Sequence, residues 1–303
     1  MGESRSVTPR GLPERAGAEP ADLPTKQVDG LLTGGGHGTL FWQGWLPPES
    51  PTGVLMICHG LGEHSGRYQT VVDTLVPDGW AIYAVDLRGH GRSAGLRTHV
   101  DRYPDLLDDL DTLRTLVTER HPDLPQFLLG HSMGGQVALA YALYRRPLLA
   151  GLVLSAPLLA MNTVSPATVA VLRRVARLAP RLRPAGIDPT KVSKDPDVVA
   201  DMQADPLVWH GNPTLGLSAA LFNRCGPLLE RARELQVPLL TQHGLADEIT
   251  DPIGTARLAA IEGPAEKTAL WYPGLWHEIY HEPERARPLA DLRDWLDAHR
   301  TLA

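Results

Sequence analysis

Short apolar runs alternate with amphipathic stretches along most of this chain of 303 residues. The apolar runs have the length of buried strands, and we place strands at 54–58, 80–86, 127–129, 151–155, 239–241 and 268–272. Between them, apolar residues recur at helical spacing, which predicts helices at 68–76, 106–119, 136–144, 253–261 and 288–299. Strands that alternate with helices form parallel βαβ units. The pattern therefore predicts an α/β fold, with a mostly parallel central sheet flanked by helices.

The alternation stops between residues 158 and 237. This stretch contains helical segments and many prolines but no convincing strand. Because it is far too long for a structureless loop, we expect a helical cap at 158–237, inserted into a core formed by 27–157 and 238–303. Residues 1–26 are rich in proline, glycine and charge, and we expect them to form a disordered tail.

Composition narrows the class of protein. The chain has 29 Lys and Arg against 35 Asp and Glu, and this net charge of −6 argues against a nucleic-acid partner. No apolar stretch approaches the roughly 18 residues of a membrane-spanning helix, and residues 1–26 lack the apolar segment of a signal peptide. We therefore expect a cytoplasmic location. The two cysteines, Cys58 and Cys225, show no metal-ligand spacing and cannot form a disulfide framework.

The segment Gly130-His131-Ser132-Met133-Gly134 carries the clearest chemical signal. It matches G-x-S-x-G and lies between a predicted strand and a predicted helix, which is the context of the nucleophile elbow in the α/β-hydrolase fold. The glycines allow the tight turn that lifts the serine side chain above the sheet. Ser132 is therefore the predicted nucleophile, since an ordinary serine in a glycine-rich turn leaves that context unexplained.

A serine hydroxyl is a poor nucleophile until a neighbouring base removes its proton. In this fold an acid and then a histidine follow the serine in the chain, each on a loop after a later strand. His277 follows the strand at 268–272, and Asp247 follows the strand at 239–241. Asp251 follows the same strand and is the alternative acid. We favour Asp247 because it lies nearer to the end of that strand.

Acyl transfer also requires hydrogen-bond donors for the oxyanion. We predict that these donors are the backbone N–H of Met133, directly after the nucleophile, and that of Leu61, in the turn after the strand at 54–58. Gly60 and Gly62 give this turn the freedom to point an amide inward.

The catalytic histidine also begins a rival motif, since residues 277–281 (HEIYH) match the H-E-x-x-H signature of zinc proteases. In that motif His277 and His281 would share one face of a helix, with Glu278 acting on a zinc-bound water. Pro273 and Pro283 leave room for barely two helical turns. We therefore keep a metalloprotease as a distant alternative and expect neither a metal nor another cofactor. A non-catalytic module would normally lack one member of the Ser-Asp-His set.

Three segments together resemble the monoacylglycerol lipases, also described as lysophospholipase-like hydrolases, and above all their bacterial members. The segments are 59–68 (HGLGEHSGRY), 86–93 (DLRGHGRS) and 130–135 (GHSMGG). The resemblance covers about residues 30–300. It implies an α/β-hydrolase fold and a cytosolic or membrane-associated enzyme that releases a fatty acid and glycerol from a monoacylglycerol, without a cofactor. A general carboxylesterase and a lysophospholipase are the alternatives.

The resemblance also implies roles for individual residues. It supports Ser132, Asp247 and His277 as the triad, and the N–H groups of Leu61 and Met133 as the oxyanion hole. It further implies that Glu63 and Arg67 lie near the glycerol head group. The alternative for these two side chains is a hydrogen-bonded network that holds the oxyanion turn.

One stretch of the predicted cap, 172–183, has two different sides on a helical wheel. One side carries Arg173, Arg174, Arg177 and Arg181, and the other carries Leu172, Val175, Ala176, Leu178, Ala179 and Leu182. A basic amphipathic helix suits a lipid surface, which predicts peripheral contact between the cap and a membrane. The alternative is that the apolar side packs on the core and leaves the arginines in water.

Overall fold

The computed structural model describes residues 25–34, 38–160, 174–184, 188–263 and 265–300. Its strands are β1 (Lys26–Gly34), β2 (Gly38–Leu46), β3 (Gly53–Cys58), β4 (Trp80–Val85), β5 (Gln126–His131), β6 (Gly151–Ser155), β7 (Leu239–Gly244) and β8 (Lys267–Tyr272). They form one sheet in the order β1-β2-β4-β3-β5-β6-β7-β8. All neighbours from β4 to β8 pair in parallel, whereas β2 pairs antiparallel with β1 and β4. The predicted mostly parallel sheet is therefore confirmed.

Helices cover both faces of the sheet. The α-helices of the described residues are α1 (Gln69–Leu75), α2 (Pro104–Arg120), α3 (Met133–Tyr144), the described part of α4 (174–178), α5 (Pro196–Ala204), α6 (Leu215–Arg231), α7 (Pro252–Ala260) and α8 (Ala286–His299). In β3, Val54 and Met56 pack with α2 and α3, while Leu55 and Ile57 pack with α1 and α8. Because successive side chains of a strand point to opposite faces, both faces of this strand are buried, and its sequence is a continuous apolar run.

The β1–β2 hairpin at one edge of the sheet is absent from the sequence-based interpretation. The side chains of β1 alternate between exposed and half-buried positions, so this edge strand lacks the apolar run that marks the central strands. Lys26, which we assigned to the disordered tail, is in fact the first residue of β1. The rest of that predicted tail, apart from Thr25, lies outside the described residues.

The chain between β6 and β7, residues 158–237, is called the β6–β7 segment below. Its described parts, 158–160, 174–184 and 188–237, contain α4, α5 and α6 and no strand. The segment contacts the loops at the carboxyl edge of the sheet, where Trp209 N–H donates to Gly62 O at 2.7 Å and Glu278 N–H donates to Val192 O at 2.8 Å.

The predicted amphipathic helix at 172–183 ends earlier than expected. Within the described residues the helix covers 174–178, and Pro180 lies in the turn that follows it. Leu172 and Arg173 lie outside the described residues. Over the described ranges, we find no helix that combines the length and the apolar character needed to cross a membrane.

Candidate active site

Ser132 lies on a strained turn between β5 and α3. Its backbone has φ 55° and ψ −119°, a conformation that non-glycine residues rarely adopt and that costs about 1–3 kcal/mol. Gly134 makes the turn possible, because a Cβ atom there would overlap the carbonyl oxygen of Cys58. The turn is held in place by hydrogen bonds from Ser132 N–H to Ser155 O at 3.0 Å and from Leu158 N–H to Ser132 O at 2.9 Å. A rigid elbow therefore presents the serine at the carboxyl edge of the sheet.

Asp247 and His277 form a buried pair on the loops after β7 and β8. The Nδ1–H of His277 donates to Asp247 Oδ2 at 2.7 Å. Thr250 Oγ1 and His243 Nε2 also donate to this oxygen, at 2.8 and 3.0 Å. The other carboxylate oxygen, Oδ1, accepts the N–H groups of Ile249 and Thr250. Five donors thus fix the carboxylate, and the hydrogen bond at Nδ1 leaves Nε2 of His277 as the basic nitrogen.

The charged forms of Asp247 and His277 stabilise each other. Burial alone would raise the pKa of Asp247, but the charge of His277 and the hydrogen bonds from His243 and His277 hold it well below its usual range. Burial alone would lower the pKa of His277, but the charge and hydrogen bond of Asp247 raise it above its ordinary value. Asp247 therefore stays ionised beside a histidine whose affinity for a proton is increased, as a general base requires.

The alternative acid, Asp251, has a different place in the structure. Its carboxylate accepts the N–H of Ile253 at 2.9 Å and caps the N-terminus of α7. An aspartate followed by a proline at the first helical position is a usual start for a helix. The structure thus brings Asp247, and not Asp251, against His277.

The turn after β3 is held from within by Glu63. Its Oε1 accepts the N–H of Gly60 at 2.5 Å and the hydroxyl of Tyr68 at 2.9 Å. Leu61 lies between these anchored positions and lines the same cavity as Ser132. Met133 is the first residue of α3, so its N–H has no acceptor within the helix. Both predicted oxyanion donors therefore belong to rigid backbone next to the serine.

Glu63 and Arg67 also belong to a buried ion cluster. Arg67 forms a two-pronged ion pair with Glu278 at 2.7 and 2.8 Å and contacts Glu63 Oε2 at 3.2 Å. Burial would lower the pKa of Arg67, but the two carboxylates raise it above its ordinary value. These contacts support the alternative that Glu63 and Arg67 belong to a hydrogen-bonded network that holds the oxyanion turn. Both side chains also line the cavity. The sequence analysis did not predict that Glu278 pairs with Arg67. The only sequence feature that pointed to Glu278 was its position directly after His277.

A cavity of about 140 Å³ joins these groups. Its walls include Ser132, His277, Leu61 and the ion cluster on the sheet side. From the β6–β7 segment it receives the apolar side chains of Val192, Met202 and Val208, which pack together as a small cluster. The cavity therefore has polar groups beside the serine and apolar groups from the segment that covers it.

The zinc-protease motif lacks the helix that it needs. Residues 277–281 form turns and bends, so His277 and His281 do not share a helical face. His281 instead directs Nε2 to Arg67 O at 2.7 Å and Nδ1 to Glu278 at 3.1 Å. Over the described parts of the chain, His, Cys, Asp and Glu side chains nowhere gather in a group of three or more that could hold a metal ion.

The ring of His131 lies beside that of His277, with ring centroids 4.7 Å apart and planes tilted by 49°. Burial and the neighbouring His277 lower the pKa of His131 to about 4. The ring is therefore neutral near pH 7 and places no second positive charge beside His277.

Comparison with known protein families shows the family to which the chain belongs. The family model described as serine aminopeptidase, S33 (Hydrolase_4) matches residues 49–284, most of the chain. The chain belongs to this family. As a Hydrolase_4 member with the α/β-hydrolase fold, the protein is a serine ester hydrolase.

Known relatives of the chain confirm the resemblance to monoacylglycerol lipases. The chain is 38% identical over 270 residues to a monoacylglycerol lipase of Mycolicibacterium smegmatis, covering 88% of this chain and 96% of that protein. It is 32% identical over 269 residues to monoglyceride lipase of Homo sapiens, covering 87% of each. The crystal structure of a Paleococcus ferrophilus monoacylglycerol lipase superposes with a TM-score of 0.76 at 30% identity, covering 91% of this chain and 100% of that one.

Proposed function

We propose that this enzyme hydrolyses monoacylglycerols to a fatty acid and glycerol through an acyl-enzyme on Ser132. The observation that carries the proposal is the meeting of three features in one cavity: a serine on a strained elbow, a histidine paired with a buried aspartate, and a constrained turn with Leu61. Asp247 and His277 complete the triad, and the N–H groups of Leu61 and Met133 form the oxyanion hole.

The proposed chemistry follows the general mechanism of such triads. Nε2 of His277 removes the proton from Ser132 as Oγ attacks the ester carbonyl, and Asp247 stabilises the imidazolium that forms. The oxyanion of the tetrahedral intermediate accepts hydrogen bonds from Leu61 and Met133. The intermediate collapses to the acyl-enzyme, and His277 returns its proton to the leaving glycerol oxygen. Water, activated by the same histidine, then releases the fatty acid and restores the serine.

The two kinds of wall in the cavity support a monoacylglycerol as the substrate. Val192, Met202 and Val208 offer an apolar surface for one acyl chain, and we propose that the β6–β7 segment acts as the cap, 158–237, over a core of 27–157 and 238–303. The ion cluster of Glu63, Arg67 and Glu278 offers charged groups that could hydrogen-bond a glycerol head group. The relatives described as monoacylglycerol lipases favour the same substrate.

The surface of residues 174–182, which comprise α4 and the turn after it, supports a peripheral contact with lipid. Leu178 is 90% exposed and Leu182 is 53% exposed, so in the described residues these apolar side chains do not pack on the core. Arg174, Arg177 and Arg181 are exposed beside them. Apolar side chains and arginines on one exposed segment suit an anionic membrane surface. We propose a cytoplasmic enzyme whose cap rests on such a surface while it takes up substrate.

A hydrolysis panel tests the substrate. It compares a monoacylglycerol with a triacylglycerol, a lysophospholipid, a short p-nitrophenyl ester and an amino-acid p-nitroanilide, as kcat/KM in mixed detergent micelles. We expect the monoacylglycerol to be the best substrate. A higher value for the short ester would make the protein a general carboxylesterase, a higher value for the lysophospholipid a lysophospholipase, and a higher value for the anilide an aminopeptidase.

Vesicle binding tests the lipid contact. Replacing Arg174, Arg177 and Arg181 by Gln should weaken binding to anionic phosphatidylserine vesicles, because each arginine near such a surface adds roughly 1 kcal/mol. Hydrolysis of a water-soluble ester should be unchanged, since the triad is untouched. The matched control replaces three other exposed arginines, Arg233, Arg257 and Arg285, by Gln. Equal vesicle binding by the two triple variants would refute the contact.

A further inference from the structure

A second histidine contacts the acid of the proposed triad. His243 lies at the end of β7 and is fully buried. Its Nε2 is 3.0 Å from Asp247 Oδ2 and 3.3 Å from the carbonyl oxygen of Thr250, both of which are acceptors. Nε2 must therefore carry a hydrogen. The same carboxylate oxygen that binds His277 thus accepts a hydrogen bond from a second imidazole.

The other side of the His243 ring is held by α7. Its Nδ1 is 2.7 Å from Thr255 Oγ1, and Thr255 is itself fully buried. The ring also stacks on Trp271 of β8, with centroids 6.5 Å apart and planes 20° apart. These contacts fix which nitrogen faces Asp247, as the partner of one imidazole nitrogen generally sets the role of the other.

We propose that His243 is a positioning residue of the triad, which shares the charge of Asp247 with His277 and so limits how tightly His277 holds its proton. The inference rests on the proposed function, because it takes Asp247 and His277 as acid and base. Each donor on Oδ2 stabilises the carboxylate and leaves less of its charge for the imidazolium. A base that is not too strong is deprotonated, and so ready to act, near neutral pH.

The hydrogen bonds that anchor Asp247 determine in which direction the loss of His243 changes the proton affinity of His277. Oδ1 is held by the N–H groups of Ile249 and Thr250 at 2.7 and 3.0 Å. The carboxylate therefore keeps its orientation when His243 is removed, while its charge acts more strongly on His277. The ionisable groups around the His277 ring are Asp247, His131, Glu63 and Glu278, and none of them contacts His243 except Asp247.

The test replaces His243 by Leu, which removes both ring nitrogens and keeps apolar bulk. The acid limb of kcat/KM for a soluble ester should move upward by about 0.5–1 pH unit, because about half of the usual strength of a hydrogen bond to a charged group, roughly 1–2 pH units, should pass to His277. The rate should fall about three- to tenfold below the limb and recover above it. His243→Gln, which can place an N–H near the position of Nε2, should restore the wild-type limb.

Titration of His277 in enzyme labelled with 15N-histidine gives the same quantity without turnover. It should show the same upward shift in His243→Leu, and a smaller one in Thr255→Val, where the ring loses its anchor. His121→Leu is the matched control. His121 lies at the C-terminal end of α2, away from the triad, and its ring forms a hydrogen bond with Tyr83. If His243→Leu does not fold, Thr255→Val serves as the test variant in its place.

A limb that stays in place or moves downward would overturn the role of His243, whatever the change in activity at high pH. Failure of a serine-directed fluorophosphonate to label Ser132 in the wild type would instead overturn the proposed function. The two failures are therefore distinguishable, and the NMR titration reads the His243 effect in either case.

Discussion

Replacing Asp247 by Asn should remove most of the esterase activity. The Asp247 Oδ2 to His277 Nδ1 distance is 2.7 Å, and at an effective dielectric constant of about 20 the carboxylate attracts the imidazolium by about 6 kcal/mol. Loss of an interaction of this size lowers the rate by about 10⁴-fold. An asparagine amide also places N–H groups among five donors, which favours the wrong tautomer of His277.

Asp251→Asn is the matched control for this change. Asn caps a helix about as well as Asp, so α7 should keep its N-terminus and the rate should stay within about twofold of wild type. The assay is kcat and KM for a short p-nitrophenyl ester from pH 5 to 9, with thermal melting to show that both variants are folded. A severe loss in Asp251→Asn together with a mild loss in Asp247→Asn would refute the assignment of the acid.

Three further outcomes follow from the charges of the site. Because the pKa of His277 is raised, the acid limb of kcat/KM for a neutral ester should lie above about pH 6.5, with activity increasing as the pH rises through it; a limb below pH 6 would contradict this. Arg67→Ala leaves Glu63 and Glu278 buried without their cation and should lower the free energy of unfolding in urea by about 3–5 kcal/mol, whereas a change below 1 kcal/mol would show that the cluster is unimportant. The depressed pKa values of Glu63 and Glu278 stabilise the fold above the unfolded-state value of about 4.3, so stability in urea should fall steadily as the pH drops below about 5; constant stability down to pH 3 would contradict this.

The central sheet could be predicted because its strands are buried on both faces. Val54–Cys58 and Trp80–Val85 are apolar throughout, and the glycine-rich elbow between β5 and α3 has a local signature. The order of the nucleophile, acid and histidine along the chain then pointed to the carboxyl edge of the sheet. These features are encoded by neighbouring residues, so one sequence reveals them.

Contacts between distant segments could not be predicted in this way. Arg67 and Glu278 are 211 positions apart, and only the folded chain shows that they pair. The donation from His243 to Asp247 spans four positions, but it depends on Thr255 and Trp271 to orient the ring. The apolar side of α4 could equally have packed on the core, and the exposure of Leu178 became visible in the structure alone.

Covalent labelling of Ser132 tests the central claim most directly. Enzyme treated with a fluorophosphonate probe, digested and analysed by mass spectrometry should carry the adduct on the peptide that contains Ser132. Ser132→Ala should lose the label, keep its fold and hydrolyse a monoacylglycerol on the order of 10⁴-fold more slowly or worse. Near-normal turnover by Ser132→Ala, or loss of wild-type activity on adding a zinc chelator, would contradict the serine mechanism.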